Sequence, residues 1–303
     1  MVRWFSEAKS VKLPEQKVQV NYIYVNPKGL NEVQNLLSES LKSFGKWDKM
    51  PISVWLCSNQ DEWLGAHINN FGESYIDLAE YLSKIVTAFE LAYSPREVQS
   101  LIGINVPKLL RPNILVRTDE LPKMKLKEKK GVFKHEMLHK PHADYGFTIP
   151  IIKVTQSYYD LDSDFKKLLD DLESACIDIS TNEIGIDLGF ENELLAALKY
   201  GAKFGLNYSK AHKKEASRSD LFRTLLTLSA VPIPFDYGEK KIHAEEMRKF
   251  LYKRYGQLEI EEPIELGKNL EKNLSGIKNP PKVPEIEKVY NGVIKKFEDF
   301  RRH

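Results

Sequence analysis

The residues that point most specifically to a chemical function lie in one short stretch, which reads His135-Glu136-Met-Leu-His139. On a helix of about 3.6 residues per turn, positions i and i+4 lie on the same face, so both imidazoles can reach one metal ion. Glu136 lies one position along and can act as a general base toward a water molecule on that ion. This pattern is typical of hydrolysis that depends on Zn²⁺.

The neighbouring residues favour a metal site over the alternative, a helix that carries two surface imidazoles and binds nothing. Apolar residues interleave with the motif at Val132, Phe133, Met137 and Leu138. If these apolar side chains bury one face of the helix, the motif residues beside them do not lie on a clearly solvent-exposed face. Pro141 disfavours helical geometry at the residue before it, so we expect the helix to end just past His139.

A third metal ligand must come from elsewhere in the chain, because catalytic zinc normally takes three protein ligands and a water molecule. A predicted helix at 161–183 has an apolar stripe, with Asp178 on one flank and Glu173 on the other. The small residues between them would let this helix approach another helix closely. Either carboxylate is therefore a candidate ligand, and His142, three residues after His139, is a rival.

The site also needs a hydrogen-bond donor for the oxyanion that forms on a cleaved carbonyl. His142 and Tyr145 follow the motif closely enough to supply one. The alternative is that each is an ordinary packed or surface residue. The predicted catalytic residues are thus Glu136, Tyr145 and His142.

The N-terminal part of the chain contains the elements expected to form a sheet. Alternating or β-rich runs predict strands at 17–25, 52–57 and 111–118, with a helix beginning near Asn31 and a helical pattern at 74–93. Ile114–Arg117 is either an edge strand that pairs with an extended substrate or a plain core strand. Strand, helix and strand in this order predict a small α/β unit.

Beyond residue 150 the apolar spacing becomes helical. We predict helices at 161–183, 191–204, 220–229, 243–255 and 285–302. The Pro-, Glu- and Lys-rich stretch 258–284 is expected to wrap the surface. The fold class is therefore predicted to be α+β, with residues 1–110 as the N-terminal α/β region and 111–303 as a mainly helical region, or with both as one compact unit.

The motif and the acidic helix together resemble the gluzincin-type zinc metallopeptidases over residues 113–185. They are most similar to prokaryotic, especially archaeal, members in which an Asp-x-x-x-Asn helix follows His-Glu-x-x-His; Asp178 and Asn182 match that second motif. The better-known pattern has Glu, two residues, Ala and then Asp, and Glu173 and Asp178 are one residue too far apart for it. The resemblance implies a zincin-like body, Zn²⁺ and a peptide or protein substrate, and it favours Asp178 as the third ligand.

Composition argues against several other classes of protein. Lys and Arg number 45 against 43 Asp and Glu, so the strongly basic surface of a nucleic-acid binder is not expected. The sequence contains no run of 18 apolar residues, which argues against a membrane span. Two distant cysteines and a charged N-terminal stretch without a secretory pattern fit a cytoplasmic protein.

The function predicted from these observations is a zinc-dependent hydrolase, most simply a peptidase. His135, His139 and a carboxylate would bind the ion, and Glu136 would activate water. The alternative from a different class is a non-catalytic protein that keeps a zincin-like core for structure, regulation or partner binding.

Overall fold

A computed structural model of the chain describes residues 7–13, 18–44, 52–71, 89–92, 113–144, 162–211, 217–236, 240–256, 258, 262–277 and 283–302. The chain divides into two compact units, Met1–Lys140 and Pro141–His303. The first contains a sheet and the described part of the second is helical, which confirms the α+β class.

In the described part of the first unit, five strands form a sheet in the order β1-β2-β3-β5-β4. They are β1 (Glu7–Leu13), β2 (Val18–Tyr24), β3 (Ile52–Cys57), β4 (Phe89–Ala92) and β5 (Asn113–Arg117). Strands β2, β3 and β5 run parallel to one another, whereas β1 and β4 pair antiparallel with β2 and β5. In β2 every second residue is buried, as the alternating sequence predicts.

Strand β5 lies inside the sheet, so the expectation that Ile114–Arg117 forms a substrate-binding edge is wrong. Pairing with β3 on one side and β4 on the other occupies both of its backbone edges. Residues 113–116 are all buried, as in a strand covered on both faces. The sequence division at residue 110 assigns this strand to the helical region, but it is part of the N-terminal sheet.

The partner on the outer side of β5 is a strand that the sequence pattern does not predict. Phe89–Ala92 pairs antiparallel with β5, although it falls in the stretch 74–93 whose apolar spacing is helical. The free backbone edge of β5 can pair with this segment, and that pairing outweighs the helical preference of its sequence. Strand formation depends more on such tertiary context than on local propensity. Residues 74–88 of the predicted helix lie outside the described residues.

Among the residues described in the first unit, three helices begin: α1 (Leu30–Ser43), α2 (Gln60–Phe71) and α3 (Leu126–Asp144). Gly29 precedes α1 with a φ of 85°, a conformation that glycine adopts without the strain a side chain adds. A Cβ on Gly29 would lie 3.2 Å from Cβ and Cγ2 of Thr118. Thr118 follows β5 and its N–H donates to the carbonyl of Cys57, 2.9 Å away. The start of α1 is therefore fixed against the ends of β3 and β5.

The second unit consists of helices in its described part. They are α4 (Ser163–Asp187), α5 (Glu191–Ala211), α6 (Arg218–Ala230), α7 (Lys241–Tyr255), α8 (Pro263–Leu274) and α9 (Val283–Arg302). An aromatic core joins α6 to α9, with the rings of Phe222 and Phe297 5.1 Å apart. Among the described helices, none is both long and apolar enough to span a bilayer.

Helix α8 is a correction to the expectation that 258–284 wraps the surface. Its buried positions are Gly267, Leu270, Glu271 and Leu274, which follow the i, i+3, i+4, i+7 spacing of a helical stripe. Two of these four residues are not hydrophobic, so the stripe does not stand out in the sequence.

Candidate metal centre

Helix α3 carries the His-Glu-x-x-His motif and is held against α1 by two ion pairs. Nζ of Lys129 lies 2.6 Å from Oε1 of Glu32, and Nζ of Lys130 lies 2.7 Å from Oε2 of Glu39. In the first turn of α3, the carboxylate of Glu128 accepts the N–H of Lys125 at 2.6 Å, which satisfies one of the backbone donors at the start of a helix. The motif therefore lies on a helix whose beginning is anchored to the rest of the first unit.

The motif lies at the border of the buried face of α3. Val132, Phe133, Met137 and Leu138 are buried, each no more than 5% exposed. His135, Glu136 and His139 are half-buried. Their side chains are thus neither sealed in an apolar core nor surrounded by solvent, which is the setting that a ligand-binding site needs.

The two imidazoles lie close together in a crossed arrangement. Their ring centroids are 4.9 Å apart and the ring planes make an angle of 81°. Oε2 of Glu136 lies 4.0 Å from Nε2 of His139, which is beyond hydrogen-bonding distance. The structure therefore brings His135, Glu136 and His139 together on one helical face, as their spacing predicts.

Helix α3 does not stop at Pro141. It continues to Asp144, which corrects the expectation that it ends just past His139. A proline lacks one backbone donor, but the N–H groups of later residues can still bond to carbonyls one turn earlier. The backbone of His142 is therefore helical, whereas Tyr145 lies outside the described residues.

In the second unit, Asp178 and Glu173 both lie on α4 and both are half-buried. Between them, Cys176 belongs to the buried stripe of the helix. Burial, followed by the negative charges of Glu173 and Asp178, raises the pKa of the Cys176 thiol to about 12. The thiol therefore stays protonated at neutral pH within the apolar stripe, whereas the two half-buried carboxylates remain the candidate ligands of this stretch.

Polar contacts with α6 fix α4 within the second unit. Nε of Arg223 donates to Oδ2 of Asp171 at 2.5 Å, and the hydroxyl of Ser219 donates to Oδ2 of Asp164 at 2.7 Å. Sequence reasoning missed both partners, because they lie more than 50 residues beyond the acids they bind. Their effect is to hold in place the helix that carries the two candidate carboxylates.

The comparisons with known proteins add no support for a family. No protein-family model, curated protein or solved structure matches this chain. The functional conclusion therefore depends on the chemistry of the side chains themselves.

Proposed function

We propose that this protein is a zinc-dependent hydrolase that cleaves peptide bonds, with Glu136 as its general base. The observation that carries the proposal is the pair of imidazoles on α3, whose ring centroids are 4.9 Å apart. With Zn–N distances of about 2.0–2.1 Å and tetrahedral angles, two imidazoles on one ion have centroids about 5 Å apart. The spacing of His135 and His139 therefore fits a shared ion.

Asp178 is the third ligand in this proposal. Asp178 and Asn182 match the Asp-x-x-x-Asn motif that follows His-Glu-x-x-His in the peptidases that this sequence resembles, whereas Glu173 is one residue too far from Asp178 for the better-known motif. Two imidazoles and one carboxylate leave the fourth position of a tetrahedral ion for water, as catalytic zinc requires.

The chemistry of hydrolysis is divided between the ion and the chain. Zinc, when bound, lowers the pKa of a water molecule to about 7. Glu136 takes the proton from the attacking water and delivers it to the nitrogen of the leaving amine. Its side chain is 17% exposed, so solvent screens its charge less than at an open surface. The peptide substrate is supported by the resemblance of the motif to the gluzincin-type peptidases.

The first experiment separates metal binding from catalysis. The full chain is purified without added zinc, its metal content is measured by mass spectrometry, and it is assayed against a library of quenched fluorescent peptides. Glu136→Gln should keep about one equivalent of zinc but lose turnover by about 10²–10⁴-fold, the usual contribution of a general base. A wild-type protein that binds zinc and cleaves no peptide would instead support the non-catalytic alternative.

The second experiment tests the third ligand with a matched pair of variants on α4. Asp178→Asn should weaken zinc binding by at least about tenfold, because a lost ligand costs no less than a lost outer contact. Glu173→Gln changes an equally half-buried carboxylate and should leave zinc binding unchanged. The reverse pattern would make Glu173 the ligand and refute the assignment of Asp178.

A further inference from the structure

A second polar site lies entirely within the second unit, between α7 and α8. It is a cavity of about 230 Å³, several times the roughly 30 Å³ that one water molecule takes in the liquid. Every side chain that lines it is charged or carries a hydroxyl group. The cavity is therefore large enough for a small ligand and offers it charged and hydroxyl groups.

The acidic groups of this cavity are already satisfied by neighbouring donors. Arg248 forms ion pairs with Asp236 and with Glu271, where Nε lies 2.6 Å from Oε1. The other oxygen of Glu271 accepts the hydroxyl of Tyr252 at 3.1 Å. Burial, followed by the charge of Glu271, raises the pKa of Tyr252 to about 12, so the hydroxyl stays a donor. Nη1 of Arg248 donates to no described residue.

The basic side chains of the cavity, in contrast, outnumber its acidic side chains. Lys268 and Lys272 lie one turn apart on α8 and both line the cavity, so they share one helical face. Nζ of Lys268 lies 5.8 Å above the ring of Tyr252. Within the described part of the chain, neither ammonium group has a carboxylate partner. With Arg248, the cavity has three cationic and two anionic side chains, which leaves a net positive charge.

The last carbonyl groups of α8 are hydrogen-bonded, so they do not offset the positive charge of the cavity with unpaired oxygens. The N–H of Ser275 donates to the carbonyl of Glu271 at 2.9 Å, and its hydroxyl donates to the carbonyl of Lys272 at 2.8 Å. The next two carbonyls accept the N–H groups of Gly276 and Ile277. Since an uncapped C-terminus would disfavour an anion, this capping matters for the sign of the site.

We propose that this cavity binds a phosphate group, free or esterified, through Lys268, Lys272 and the Nη1 group of Arg248. A phosphate monoester carries a charge of about −1.5 to −2 at pH 7 and three acceptor oxygens. It therefore matches three separate cationic donors better than a carboxylate, which has two oxygens and one charge. This proposal is independent of the metal centre.

The test titrates inorganic phosphate into the full chain at low ionic strength and measures binding by calorimetry. Lys268→Gln and Lys272→Gln should each weaken phosphate binding by about fivefold, since a partly exposed charge contact contributes about 1 kcal/mol. Lys295→Gln, an exposed lysine of α9 away from the cavity, is the control and should have no effect. Glycerol phosphate and acetate are titrated in parallel to compare an ester and a carboxylate.

Three results would overturn the proposal: no saturable binding of phosphate, an equal loss in the Lys295→Gln control, or acetate binding as tight as that of phosphate. The first would mean that the charged groups only stabilise the fold. The second would mean general attraction to a basic surface. If the site exists, the ratio of the glycerol phosphate and phosphate affinities shows whether the ligand is an ester or the free ion.

Discussion

Strand β5 in the first unit and helix α4 in the second are both flanked by buried side chains, but their polar surroundings differ. Strand β5 satisfies its backbone through ladders with β3 and β4. The polar flank of α4 is instead held by side chains of a distant helix, with Arg223 bound to Asp171 and Ser219 to Asp164. Strand β5 is thus held by main-chain pairing, whereas the polar flank of α4 is held by specific side chains.

A second contrast concerns how deeply the ion pairs that anchor α3 and α4 are buried. In the pair that anchors α3, the side chain of Lys129 is 12% exposed and that of Glu32 is 39% exposed. In the pair that anchors α4, the corresponding values are 6% for Arg223 and 24% for Asp171. The pair on α4 is therefore the more buried one, and removal of one partner should be costlier there.

The largest expected effect is that of Arg223→Met, which leaves the half-buried carboxylate of Asp171 without the guanidinium that pairs with it. We expect a loss of about 2–3 kcal/mol in the free energy of unfolding, between the values for exposed and for fully buried pairs. Lys129→Met, the matched change on α3, should cost at most about 1 kcal/mol. Urea unfolding followed by helical circular dichroism measures both, and equal losses would contradict the comparison.

Tryptophan fluorescence shows which unit loses stability in each variant, because all four tryptophans, at positions 4, 47, 55 and 63, belong to the first unit.

The effect of Arg223→Met on stability should also depend on pH. Burial raises the pKa of Asp171, and Arg223 opposes that shift. Without Arg223 the folded pKa rises further above the unfolded value of about 3.9. The variant should thus lose stability as pH rises from about 4 toward the folded pKa, so its deficit should be smaller near pH 4 than at pH 7.

A smaller effect is expected at two glycines with positive φ, one in each unit. Gly29 has a φ of 85° and would place a Cβ 3.2 Å from Thr118, whereas Gly189 has a φ of 82° and open space around it. An alanine at either position should cost about 1–2 kcal/mol for the left-handed backbone. Gly29→Ala should cost more, because it also crowds Thr118 at the end of the sheet. Equal losses in urea unfolding would show that Thr118 moves aside without strain.

The smallest expected effect concerns Asp119, which follows β5 and binds Arg117 through two hydrogen bonds of 2.9 and 2.7 Å. Burial acts to raise the pKa of Asp119, but the hydrogen bond and charge of Arg117 lower it overall. Because the carboxyl is about one-third exposed, Asp119→Asn should cost at most about 1 kcal/mol at pH 7.

The stability that Asp119 provides should depend on pH in the opposite direction to that of Asp171 in the Arg223→Met variant. A carboxyl with a lowered folded pKa stabilises the protein above its unfolded pKa of about 3.9 and loses that contribution as pH falls through the folded value. The Asp119→Asn variant and the wild type should therefore converge in stability at low pH. A deficit that stays constant from pH 7 to pH 2 would show that the hydrogen-bond geometry, and not the charge, is responsible.

Several elements could be predicted because their signal is local. Strands 18–24 and 52–57 follow from alternating or β-rich runs, and helices at 163–187 and 283–302 follow from a helical apolar stripe. The helix α3 was predicted, but its end was not, because a proline near a helix end is compatible with further helical residues. Helix α8 was missed because Gly267 and Glu271 occupy buried positions that a hydrophobic pattern does not reveal.

The arrangement of His135 and His139 one turn apart, with Glu136 beside them, could be predicted from the chain because helical geometry fixes that spacing. The internal position of β5, the pairing of Arg223 with Asp171 and the contact of Gly29 with Thr118 became evident only in the folded protein. These contacts join residues far apart in the chain, and no local pattern specifies which distant partner a strand edge or a buried charge will find.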